Sequence, residues 1–157
     1  MPELNPAEIA AWARERWPGG DPGPLQPQPV AADGSARLFA RLASGAKSLV
    51  AMSNPDNPAE NRAWSYLAGH LRNLGLPVAR VLAADLEQGL FLMEDLGRGS
   101  LQDAVLAAAN QEEIAGLYEP VLAMLARLQA KGAQDFDASI CFDSRELTPE
   151  FLLEREA

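Results

Sequence analysis

The sequence predicts an α+β fold, with an antiparallel sheet of about five strands braced by one helix and a helical second half. Up to the stretch Leu90-Phe91-Leu92-Met93-Glu94-Asp95-Leu96-Gly97, hydrophobic runs are short and punctuated by turn residues. Beyond it, every apolar pattern has helical spacing. The stretch itself is an apolar strand ending in two acids and a glycine, placed where strands give way to helices. It reads as a hinge between two lobes.

The first element is an amphipathic helix from Pro6 to Trp17. Asn5 is its N-cap, Pro6 opens it and Glu8 completes a capping box. Ile9, Trp12, Ala13 and Arg16 share a face, with Trp12 as the anchor. Pro18 to Pro29 reads as a Pro/Gly-rich loop, and residues 1–29 as a unit ahead of the sheet. A short strand at Val30 to Ala32 leads into the turn Asp33-Gly34-Ser35. Arg37 to Leu42 and Ser48 to Met52, joined by Ser44-Gly45-Ala46-Lys47, form an antiparallel hairpin. A helix from Pro58 to Leu74 follows, capped by Asn57 and closed by Gly75 and Pro77. Its Trp64, Leu67, Leu71 and Leu74 recur at three and four residues, so that face packs on the sheet. His70, the only histidine, sits one residue off the stripe and reads as a rim residue. A second hairpin runs from Val78–Ala84 through Asp85–Gly89 into Leu90–Met93. Residues 30–97 make up the sheet unit and residues 98–157 the helical part.

In the helical part, Ser100 and Asp103 form a capping box for a helix running to about Ala109. A longer helix spans Gln111 to Lys131, with Ile114, Leu117, Tyr118, Val121, Leu125 and Leu128 on one side. Pro120 lies inside it and predicts a kink. Ala133 to Ala157 mixes acids with apolar residues that need a partner surface, and Asp135-Phe136-Asp137 reads as a solvated loop.

Composition narrows the function. The 22 acids against 13 Lys and Arg leave a formal net charge of -9, which repels nucleic acid and anionic membrane surfaces. No nucleic-acid or membrane partner is expected. The lone Cys141 cannot close an internal disulfide, which favours a reducing compartment. No run approaches the roughly 18 apolar residues of a membrane span. Met1 to Trp17 carries Glu3, Glu8, Arg14, Glu15 and Arg16 and is no signal peptide. A cytoplasmic protein is expected.

Five segments, taken in order, carry a resemblance. They are Gly34-Ser35-Ala36-Arg37-Leu38-Phe39-Ala40-Arg41-Leu42, Leu49-Val50-Ala51-Met52, Pro58-Ala59-Glu60-Asn61-Arg62-Ala63-Trp64, Gly75-Leu76-Pro77-Val78-Ala79-Arg80-Val81-Leu82 and Phe91-Leu92-Met93-Glu94-Asp95-Leu96-Gly97. In this order and spacing they resemble the aminoglycoside phosphotransferase and choline kinase group. Within it, the chain looks like the bacterial cell-wall amino-sugar kinases that phosphorylate N-acetylmuramate or N-acetylglucosamine. The resemblance implies a kinase-like N-lobe, a hinge and the first helices of a C-lobe truncated before the catalytic loop.

That resemblance gives the matched residues roles. The turn at Gly34, Ser35, Ala36 and Arg37 would set backbone N–H groups over the ATP phosphates; by its single glycine alone it is an ordinary hairpin turn. Val50 and Met93 would wall the adenine, although Met93 is equally a core residue. Glu94, Asp95 and Leu96 match the hinge whose main chain would bond the adenine, and Asp95 alternatively caps a turn. Met52 or Ser53 stands where the family's phosphate-pairing lysine is expected, so the neutralising cation stays open. Glu60 matches the helix glutamate that pairs with that lysine, or else completes Asn57's capping box. No catalytic residue and no metal ligand is assigned in this chain; magnesium ligands belong to the C-lobe that the resemblance implies. The implied partners are a nucleotide and, for the full-length protein, a sugar or aminoglycoside. A non-catalytic module that homodimerises through the C-terminal apolar residues is the alternative.

Overall fold

The computed structural model describes residues 5–30, 37–142 and 148–149. In chain order the elements are α1 (Pro6–Glu15), β1 (Gln26–Val30), β2 (Leu38–Ser44), β3 (Lys47–Ser53) and α2 (Pro58–Asn73). Then come β4 (Val81–Asp85), β5 (Leu90–Glu94), α3 (Leu101–Ala107), α4 (Gln111–Lys131) and a 3-10 turn at Ala138–Ile140. The five strands form one antiparallel sheet in the order β1-β2-β3-β5-β4. The fold is α+β, as the sequence predicts, and is consistent with a kinase-like N-lobe plus part of a helical region.

Strand alternation splits the sheet into two faces. On one, Leu42, Ala51, Leu90 and Leu92 pack against Ile9, Ala10, Ala13 and Trp17 from α1 and its exit. Ile9, Ala13 and Trp17, rather than Trp12, are therefore the buried anchors of α1; Trp12 is half-buried beneath the Arg16 guanidinium, 4.6 Å from its ring centroid. On the other face, Met52, Phe91 and Met93 pack with Phe39, Val50, Trp64 and Val81, and Trp64 is the residue that α2 contributes.

Three further readings of the sequence are corrected by these elements. The expected loop up to Pro29 is a strand from Gln26, paired with β2 through Pro27↔Leu42 and Pro29↔Ala40. Prolines fit there because β1 is an edge strand, where a missing N–H can face away from the ladder. The strand expected from Val78 begins at Val81, since Val78 N–H turns back to the Leu76 carbonyl at 2.9 Å. The third concerns Phe136, which is half-buried although Asp135 and Asp137 are exposed. It packs edge-on against Tyr66 and His70, with ring centroids 5.6 and 5.3 Å away. His70 is accordingly half-buried, donating from Nε2 to the Gly132 carbonyl at 2.8 Å. The expected strand at Ala31 and Ala32 lies outside the described residues.

A polar knot sets where α2 sits on the sheet. Asn61, fully buried on α2, donates to the carbonyls of Asn54 (3.0 Å) and Leu86 (3.3 Å). It also accepts from Asn54 Nδ2 at 3.0 Å. Asn54 directly follows β3 and Leu86 lies in the β4–β5 turn, so one side chain joins the helix to both hairpins. Gly89 completes the junction: its carbonyl accepts from Asn54 N–H at 2.8 Å, and its φ is +68°. A Cβ at Gly89 would fall inside contact distance of the Asn54 carbonyl, so only glycine fits.

Candidate functional site

The α2-facing side of the sheet brings together most of the described residues that the sequence singles out. Val50 and Met93 are direct cross-strand partners, and Val81 pairs with Met93 on its other side. Together they make an apolar wall, with Met93 only 6% exposed and Val50 half-buried. Beside it lies an apolar cavity of about 240 Å³ bounded by Trp64, Leu67, Leu71, Val78 and Met93. Leu67, read from the sequence as packing on the sheet, is 44% exposed at the rim of this cavity.

Arg37, just before β2, and Phe39 and Arg41 within it are two residues apart, and Arg41 pairs in register with Val50. Its guanidinium takes the Asp95 carboxylate in a fork, Nε to Oδ2 at 2.6 Å and Nη2 to Oδ1 at 3.0 Å. Ser48 Oγ adds a 2.6 Å bond to the same carboxylate, and the Gly97 N–H donates to it at 2.9 Å. The Asp95 side chain is 3% exposed. The Arg41 guanidinium above all, helped by Ser48 and Gly97, holds the Asp95 carboxyl well below the usual range although burial opposes this. Asp95 thus closes a tight turn onto Gly97 and ties β2 and β3 to the segment after β5. Its carboxylate faces these partners.

Glu94 is exposed; its N–H donates to the Arg80 carbonyl at 2.9 Å, and its Oε2 accepts from Arg80 N–H at 3.3 Å. Leu96 is 69% exposed. Gly34, Ser35 and Ala36 lie outside the described residues.

Glu60 has two sequence readings, a cap and a partner for a lysine, and its side chain meets neither in that form. Asn57 does cap α2, accepting from Glu60 N–H at 3.1 Å. The Glu60 carboxylate, however, turns away from the cap: one oxygen pairs with the Arg37 guanidinium and the other accepts from Asn54 Nδ2 at 2.9 Å. The same guanidinium lies over the Trp64 ring, 5.0 Å from its centroid. Of the two residues that stand where the lysine is expected, Met52 is 1% exposed and packs with Phe91 and Met93, and Ser53 is likewise 1% exposed. The Arg37–Glu60 pair was legible only in part. Alternation puts Arg37 and Arg41 on one strand face, but nothing local reveals which acid each meets across 23 and 54 residues.

Among the described residues, no group of three or more His, Cys, Asp or Glu is placed to hold a metal ion, and no helix is long and apolar enough to cross a membrane.

No protein-family model matches the chain, and no solved structure matches it. Among curated proteins it is 34% identical, over 159 residues, to the N-acetylmuramate/N-acetylglucosamine kinase of Pseudomonas aeruginosa PAO1. The aligned region takes in 99% of this chain and 43% of that protein, so the chain spans less than half the relative's length. The similarity supports a kinase-like relationship.

Proposed function

We propose that this chain is the ATP-binding portion of a small-molecule phosphotransferase, one that moves the γ-phosphate of ATP to a hydroxyl of a sugar or aminoglycoside. The observation that carries the proposal is the joining, on one sheet face, of an apolar wall (Val50, Met93) and a half-buried cation held against a helix glutamate (Arg37, Glu60). An adenine ring needs a flat apolar slot bordered by main-chain polar groups, and a triphosphate needs fixed positive charge close by. The similarity to an amino-sugar kinase, which runs through nearly the whole of this chain, supports the same reading and favours an amino sugar as acceptor.

Titration calorimetry with ATP tests the binding role. Saturable heat in the millimolar range or below is expected; a flat titration rejects it. For the full-length protein, ADP release stimulated by N-acetylmuramate or N-acetylglucosamine is the expected activity, and release unaffected by any amino sugar or aminoglycoside removes it.

A second reading, a self-associating interaction module, rests on α4. Among the described residues no α4 side chain is buried, and Tyr118, Leu122, Leu125 and Leu128 are 43%, 59%, 47% and 40% exposed. Apolar surface of this kind marks an interface when contiguous. Light scattering that returns the monomer mass at every concentration would discard this reading.

A further inference from the structure

We propose that the cavity at the turn end of the β2–β3 hairpin binds a phosphate dianion, held between Lys47 and Arg98. The inference stands apart from the nucleotide reading above and concerns a different cavity from the apolar one beside Met93.

Sheet order and register assemble this cavity from four places in the chain. Lys47 and Ser48 open β3 just after the Gly45 turn, and Arg41 lies on β2. Gln28, on the edge strand, stands in register across from Arg41. Asp95 and Arg98 arrive from the segment that follows β5. The space they line measures about 290 Å³. That is at the lower limit of small-molecule pockets, so it suits a small ion or the phosphate end of an ester better than a whole nucleotide.

Its charge runs against that of the chain. The sequence carries a net charge of -9, yet this lining holds three cations, Arg41, Lys47 and Arg98, against one acid, Asp95. The acid cannot serve all three. Its Oδ2 accepts from Arg41 Nε and Ser48 Oγ, and its Oδ1 from Arg41 Nη2 and the Gly97 N–H. A carboxylate has about four acceptor sites, so Asp95 is saturated and Arg41 is the cation that balances it. Among the described residues no acid pairs with Lys47 or Arg98. Arg98 is nonetheless steered, because its Nη2 donates to Gln28 Oε1 at 2.8 Å. That neutral partner orients the guanidinium and leaves its charge uncompensated. A forked guanidinium and a point-charge ammonium on one cavity suit phosphate oxygens, and an ion with two negative charges balances both.

The test titrates the labelled intact chain with inorganic phosphate, glucose 6-phosphate, glucose alone and chloride matched in ionic strength, read by amide-resolved NMR. Saturable shifts at Lys47, Ser48, Gly97 and Arg98 are expected with phosphate and absent with glucose and chloride. K47Q and R98Q alter exposed side chains, and each should weaken phosphate about tenfold while the urea midpoint stays unchanged. Tighter binding of glucose 6-phosphate than of phosphate assigns the cavity to a phosphate ester; equal or weaker binding assigns it to the free ion. Chloride shifts equal to those of phosphate, an affinity unchanged in both variants, or no saturation at millimolar phosphate would overturn the inference. So would a phosphate signal that ATP removes and adenosine leaves in place, since the cavity would then belong to the nucleotide.

Discussion

Replacing Asn61 with alanine cuts the polar knot that seats α2, and the structure sets the size of the effect. Asn61 makes two donated hydrogen bonds, to the carbonyls of Asn54 and Leu86, and accepts one from Asn54 Nδ2. At a net value of about 1 kcal/mol each, their loss costs ~3 kcal/mol. Asn54 Nδ2 keeps its bond to Glu60, which limits the penalty at that atom. Alanine is the better helix former by roughly 0.6 kcal/mol, which offsets part of the loss. A net destabilisation of about 2–3 kcal/mol is expected. Urea unfolding followed by circular dichroism should then show the midpoint falling by about 1–1.5 M, for a slope near 2 kcal/mol/M. Asn61→Leu separates polar loss from cavity formation. It fills the space but silences the donors, so it should be no more stable than the alanine variant. A leucine variant as stable as the wild type, or an alanine midpoint within about 0.3 M of it, would mean that apolar packing through Trp64, and not the knot, seats the helix.

Other perturbations address the same frame. Gly89→Ala combines a positive φ with a clash against the Asn54 carbonyl, and should abolish cooperative folding or lower thermal stability by well over 5 °C; a scanning-calorimetry trace unchanged from wild type would show the junction to be loose. Phe91→Ala empties the fully buried centre of the α2-side cluster and should cost about 3–5 kcal/mol in urea titration. Because the Asp95 carboxyl is held below its unfolded value, it stabilises the fold above pH ~4, and that stability is lost as pH falls toward the depressed folded value. Urea midpoints should therefore drop between about pH 5 and pH 2, with Asp95→Asn showing a shallower drop. Parallel curves for the two proteins would remove Asp95 as a source of acid sensitivity.

Much of the frame was readable because its signals are local. Asn5, Asn57 and Ser100 each declare a helix start through a side chain that reaches only two or three residues ahead. The β2–β3 turn announces itself through Gly45, whose φ is +57°. β1 was hidden because its prolines forbid a central strand, and only the sheet order shows that it lies at an edge. The site divides along the same line. Val50, Met93 and Glu60 stand out in ordered segments. The pairing of Arg41 with Asp95 and of Arg37 with Glu60, by contrast, depends on strand order and on where α2 is pinned. Asn61 carried a faint signal, as a polar residue inside an otherwise half-apolar helix, but its partners Asn54 and Leu86 are set by tertiary structure alone.

The most direct test is an amide-resolved NMR titration of the labelled chain with ATP. The perturbed amides should cluster at Arg37, Val50 and Met93 through Leu96, on the sheet face shared with α2. Shifts confined to α1 on the opposite face and to the edge strand β1, or none at millimolar ATP, would contradict a nucleotide site built on that wall.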